Sequence, residues 1–110
     1  MNIIYDNKKI QKQCDNPSSA THGKQVAEKL KARLEDLHAA PSLEEIGHLP
    51  PARCHELTGN RSGQLAICLH GPHRLIFVPA HDPIPKKDDG GLDWSQVTTV
   101  NIISIEDYHK

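Results

Sequence analysis

The chain has 110 residues, 36% of them hydrophobic, and a formal charge of −1, which is enough for one compact domain spanning 1–110 and too little for two. No run of eighteen or more apolar residues and no signal-peptide pattern occurs, so a soluble, cytoplasmic protein is expected, with no membrane partner. The near-neutral charge argues against a wholly polybasic nucleic-acid binder, and three scattered cysteines, Cys14, Cys54 and Cys68, argue against a disulfide framework.

In chain order, "NIIYD" is short and β-branched and predicts an N-terminal strand, and "NKKIQKQC" a short helix. "DNPSSATHG" is a break rich in turn formers. The clearest helix follows, at roughly Ser19 to His38, where Val26, Leu30, Leu34 and Leu37 form one apolar stripe. Pro41 ends it, because the residue before a proline is pushed out of helical geometry. In "PSLEEIGHLP", Ser42 and Glu45 have capping-box spacing for one short turn closed by Gly47, too brief for a second packed helix.

Beyond "LPPAR" the pattern changes to strand. "CHELTGNRSGQLAICLHGPHRLIFVPA" reads as two or three strands with turns at Gly59-Asn60 and Gly71-Pro72. In "QLAICLH" and "RLIFVPA" both alternating sets are apolar, which predicts central strands. "HDPIPKKDDGGLDW" is a polar loop with Trp94 as its anchor, and "VTTVNIISIEDYH" is the last strand. The expected fold class is α+β, with N-terminal helices packed on one face of a mainly antiparallel sheet.

Eight histidines raise the question of a metal. The close pairs Cys54-His55, His70-His73 and His81-Asp82 have no matching second pair at ligand spacing, and "KKDDGGLD" lacks the closing Glu of a calcium loop. No phosphate loop, dinucleotide fingerprint or serine nucleophile motif is present. No metal and no cofactor is expected.

What remains is His55 just ahead of "ELTGNRSG", Arg61 within it, Arg74 at the head of "RLIF", and Asp107-Tyr108-His109 at the end of the last strand. Strands of one sheet can bring these to one surface. Two imidazoles, a phenol and two guanidiniums are the parts for metal-free RNA cleavage: one group takes the 2′-OH proton, another protonates the 5′-oxygen, and arginines hold the phosphate. Histidine suits either proton role because its ordinary pKa lies near neutrality. The bland readings are a turn-capping His55, an Arg61 paired with Glu56, an Arg74 that is only a strand-end charge, and a buried Tyr108.

"RCHELTGNRSGQLAICLHGPHRLIF" followed by "NIISIEDYH" resembles the HigB branch of the RelE-like toxins, the plasmid maintenance killer proteins of type II toxin–antitoxin systems. His-x-Leu-x-Gly-x-Arg-x-Gly, Arg-Leu-Ile-Phe and Asp-Tyr-His occur together and in order, and the helical "GKQVAEKLKARLEDLHAAPSLEEI" fits as well, so the resemblance covers most of the chain. It implies a small RelE-like α+β fold with a twisted sheet. It also implies an endoribonuclease, an mRNA interferase that cuts mRNA in the ribosomal A site and halts translation. The implied partners are the 70S ribosome with its mRNA and a HigA-like helix-turn-helix antitoxin, with operator DNA met only through the antitoxin. The matching motifs carry over His55, Asp107, Tyr108 and His109 as catalytic residues. His55 and His109 would transfer protons or orient substrate, Tyr108 would position a base, and Asp107 would orient a neighbour. Arg61 and Arg74 would bind phosphate.

Two features depart from the family pattern. The loop after "RLIF" is long, and the net charge is not basic, although residues 1–35 hold seven Lys and Arg against four acids. The alternatives are a catalytically silent binding or co-repressor module of the same fold and an RNase that needs no ribosome. A DNA-reading role for this chain is disfavoured, since no helix pair with a tight turn is available.

Overall fold

The computed structural model describes residues 1–17 and 23–107. Strand β1 (Asn2–Tyr5) leads into helices α1 (Lys8–Asp15), α2 (Lys24–Ala39) and α3 (Leu43–Gly47). Four more strands follow: β2 (His55–Glu56), β3 (Leu65–Cys68), β4 (His73–Pro79) and β5 (Thr99–Asp107). They form one sheet in the order β1-β5-β4-β3-β2. The neighbours β2 to β5 pair antiparallel, whereas β1 lies parallel to β5 with Ile3 opposite Val100. That parallel pair is the part of the topology the sequence does not announce: it joins chain ends through every other element.

The α+β expectation holds, with the helices on one face. Val26, Leu30, Leu34 and Leu37 of α2 and Ile10 and Cys14 of α1 pack with Leu65, Ile67, Leu75, Phe77, Val100 and Ile102 of the sheet. β3 and β4 are interior strands, as their double-sided apolar pattern predicts. A second, smaller cluster of Leu57, Ala66 and Ile76 is buried on the opposite face.

The helices differ from expectation at the α3 turn, while the start of α2 falls partly beyond the described residues. The expected start of α2 at Ser19 lies outside the described residues, and the described helix begins at Lys24, with Gly23 as its cap at φ 95° accepting the Ala27 amide through its carbonyl. Such a positive φ is one that glycine adopts without steric cost. The α3 turn does pack, since Leu43 and Ile46 are fully buried at i, i+3 spacing. Its start is not a capping box: the Glu45 amide bonds the Ser42 carbonyl, and the Ser42 side chain makes no cap bond.

The polar loop after β4 is ordered by its own contacts. Lys86 and Leu92 form an isolated antiparallel bridge closed by the Lys87 amide on the Gly91 carbonyl. Trp94 anchors it, as expected. The ring packs on the core and over Gly47, where an added Cβ would sit 3.0 Å from the ring. Its Nε1–H donates to Glu56 Oε2 at 3.0 Å. His81 ties the other end by accepting the Thr98 and Thr99 amides on Nε2. Among the described residues, no helix is long and apolar enough to cross a membrane.

Candidate active site

Strand register assigns each candidate to a face of the sheet. Cross-strand partners point the same way and alternate residues point oppositely. His55 pairs with Ala66, Ala66 with Ile76, and Ile76 with Ser104. Since Ala66 and Ile76 belong to the second cluster, this row lies on the face away from the helices. The adjacent row, Cys68, Arg74 and Glu106, lies on that face too. A bulge between Ile76 and Phe77 sets this phase on β5: it takes Ile103 out of the pairing, so that Ser104 and Glu106 share the open face.

His55 is exposed on the edge strand, and its ring is held from one side. Arg53, at φ 48°, is the one non-glycine described residue in the left-handed region. Its carbonyl lies 3.0 Å from His55 Nδ1. A carbonyl has no proton to give, so Nδ1 carries the hydrogen of this bond, and Nε2 is left as the nitrogen able to take a proton from a ligand.

Arg61 stands on a 3-10 turn, Gly59–Arg61, in the β2–β3 connection. Its two terminal nitrogens meet the two carboxylate oxygens of Glu106, each at 2.8 Å. Its Nε donates to Gln64 Oε1 at 3.1 Å. The sequence offered Glu56 as the partner; Glu56 instead holds Trp94. The pair thus ties the β2–β3 connection to β5 across the sheet. Ser104 Oγ donates to Glu106 Oε2 at 2.6 Å. Arg74 uses Nη1 on the Gly71 and His73 carbonyls, both at 2.9 Å.

The Arg61 hydrogen bonds hold the Glu106 carboxyl below its ordinary range, with burial opposing and Ser104 assisting. A depressed folded-state value contributes stability that is present above the unfolded carboxylate pKa and lost as pH falls through the folded one. Both side chains are near one-third exposed, so screening limits the contribution to about 1 kcal/mol. Urea unfolding from neutral pH into the acid range should show the wild type losing about this much more stability than Glu106→Gln. Parallel curves would remove the pair from the account of stability.

The arrangement is therefore one cluster and a separate histidine on one face. Arg61, Arg74, Ser104 and Glu106 come together at the β5 end. His55 stands three strand spacings away, about 14 Å between strand axes. Asp107 is exposed, opposite His73 in register, and alternation puts it on the helix side of the sheet, the face opposite His55. Tyr108 and His109 lie outside the described residues. Glu106 and Ser104 are the members that sequence reasoning missed; their i, i+2 spacing signals a shared face, but only register shows what they face. Two cysteines take no part in proton transfer at neutral pH: burial pushes the thiols of Cys14 and Cys54 up to about 12.

Comparison of the chain with models of protein families and with curated proteins gives no match.

Proposed function

We propose that this chain is a RelE-like, HigB-type toxin: a cytoplasmic, ribosome-dependent endoribonuclease that cuts mRNA in the A site without a metal and is neutralised by a helix-turn-helix antitoxin. The observation that carries the reading is the exposed His55, with Nδ1 engaged by the Arg53 carbonyl and Nε2 left to exchange protons, on the sheet face where Arg74 stands and where Arg61 meets Glu106. In the reaction the 2′-oxygen loses its proton to one imidazole and bonds to phosphorus. The P–O5′ bond breaks, and the 5′-oxygen takes a proton from the other acid–base group. The products are a 2′,3′-cyclic phosphate and a 5′-OH end. His55 and His109 are the proposed pair, with Tyr108 positioning a base and Asp107 orienting a neighbour. Arg74 keeps Nη2 and Nε outside its turn contacts and is the more available phosphate ligand; Arg61 acts on phosphate while braced by Glu106.

Ribosome contact falls to the exposed lysines of α1 and α2, Lys8, Lys9, Lys12, Lys24, Lys29 and Lys31, which makes binding steeply salt-dependent. The test is cell-free translation of a defined mRNA with purified protein, with 5′ ends mapped by primer extension. Cuts at codon-spaced positions, seen with ribosomes and absent on naked mRNA, are expected. Cuts on naked mRNA would make the protein a free RNase, and intact mRNA throughout would overturn the nuclease reading. A silent binding module is the second reading, favoured by one feature: Glu106 already neutralises Arg61, so half of the proposed phosphate clamp is occupied by protein.

A further inference from the structure

The long loop after β4 builds a cavity of about 400 Å³ at the end of the sheet. The Lys86–Leu92 bridge forms one wall, and Ser62 and Gly63, next to Arg61, form another. Leu65, Val78, Ile84 and Leu92 give it apolar surface. Two charged groups of opposite sign, Glu56 and Lys86, line it as well, and among the described residues no ion pair joins them. Trp94, which does not line the cavity, donates its Nε1–H to Glu56 Oε2, so one carboxylate oxygen is held before any ligand arrives.

We propose that this cavity is a nucleotide subsite that selects guanosine in a single-stranded RNA; it rests on the nuclease reading for its substrate. A carboxylate only accepts hydrogen bonds, so it suits the base edge with two adjacent donors. Guanine offers N1–H and N2–H side by side. Adenine and cytosine set an amino donor beside an acceptor nitrogen, and uracil sets its one N–H between two carbonyls. Single-stranded RNA is read on these edges, with the base face against apolar side chains. Lys86 supplies the charge for a phosphate. Glu56 pairs with Leu65 and so turns to the helix side of edge strand β2, the face away from His55; the link with the proposed active site runs round the sheet edge through Ser62, which follows Arg61.

The experiment titrates ¹⁵N-labelled protein with 5′-GMP, AMP, CMP and UMP, and with the trinucleotides UpGpU and UpApU, following backbone amides. GMP should shift Ser62, Gly63, Gly91 and Leu92 with about tenfold preference over the other three, the range expected of a bidentate base contact. UpGpU should bind more tightly than GMP and keep the same preference over UpApU. Glu56→Gln retains an acceptor for Trp94 but sets an amide donor against N1–H, so it should remove the preference while the spectrum stays folded. Lys86→Gln should weaken all ligands alike. Absent or base-independent shifts, or a preference that survives Glu56→Gln, would overturn the subsite. GMP binding more tightly than UpGpU would do so too, by making it a site for free nucleotide. Because no cleavage is measured, a failure here leaves the nuclease reading standing, and guanosine binding with intact mRNA would do the reverse.

Discussion

His55→Ala is expected to lower ribosome-dependent mRNA cleavage by about 10²–10⁴-fold, the usual loss when a positioned acid–base group is removed. The fold should be unaffected, because the side chain is exposed on an edge strand of two residues and bonds the Arg53 carbonyl only two residues away. Primer extension on translated mRNA measures the loss, and an unchanged circular dichroism melt certifies the fold. His55→Gln keeps a hydrogen-bonding side chain but has no imidazole to transfer a proton, so it should leave the rate as low as His55→Ala does. Cleavage within about threefold of wild type in His55→Ala would take the residue out of the chemistry. It would leave a nuclease run from the β5 end alone, or none.

How far the sequence could carry this depended on the range of the interactions. The α2 stripe of Val26, Leu30, Leu34 and Leu37 is a local repeat, and so is the double-sided apolar pattern of Leu65 to Ile67 and Leu75 to Phe77; both were legible. Trp94 was legible as an anchor because a lone large aromatic in a polar loop has few other uses. The packing of the α3 turn is illegible because five residues are too few to show a period, yet its Leu43 and Ile46 are fully buried in the core. The parallel β1–β5 pair was illegible for the opposite reason: its partners lie nearly a whole chain apart.

The site shows the same division. His55 could be singled out by type and motif, but its engaged Nδ1 depends on the left-handed backbone of Arg53, which no residue preference announces. Arg61 and Glu106 are 45 positions apart. Their meeting depends on the strand order and on the bulge that sets Ser104 and Glu106, with Ile103 skipped, on the open face. A slip of one residue would turn Glu106 to the helix side and bring Asp107 round in its place. That single phase decides which acid neutralises Arg61, and so how much positive charge the face presents to RNA.

Phe77→Ala should be the most damaging change in the core. Phe77 is fully buried in the middle of β4, between Leu65 of β3 and Ile102 of β5, where the bulge begins. Its removal takes away the one phenylalanine of the chain and leaves a cavity that the rigid interior strands cannot close, at a cost of about 3–5 kcal/mol. For a domain of this size that lowers the thermal midpoint by roughly 12–22 °C. Ile4→Ala on β1, where the side chain is 49% exposed, is the matched control and should stay within about 0.5 kcal/mol of the parent. Calorimetry of both variants measures the contrast; a Phe77→Ala midpoint within about 5 °C of the parent would mean that β4 does not hold the centre of the fold. β4 also carries Arg74 and pairs with the strand of Glu106, so this variant should lose cleavage through unfolding. Its activity should then return on cooling below the lowered midpoint. His55→Ala, which leaves the fold intact and removes a proton-transfer group, should show no such recovery at any temperature.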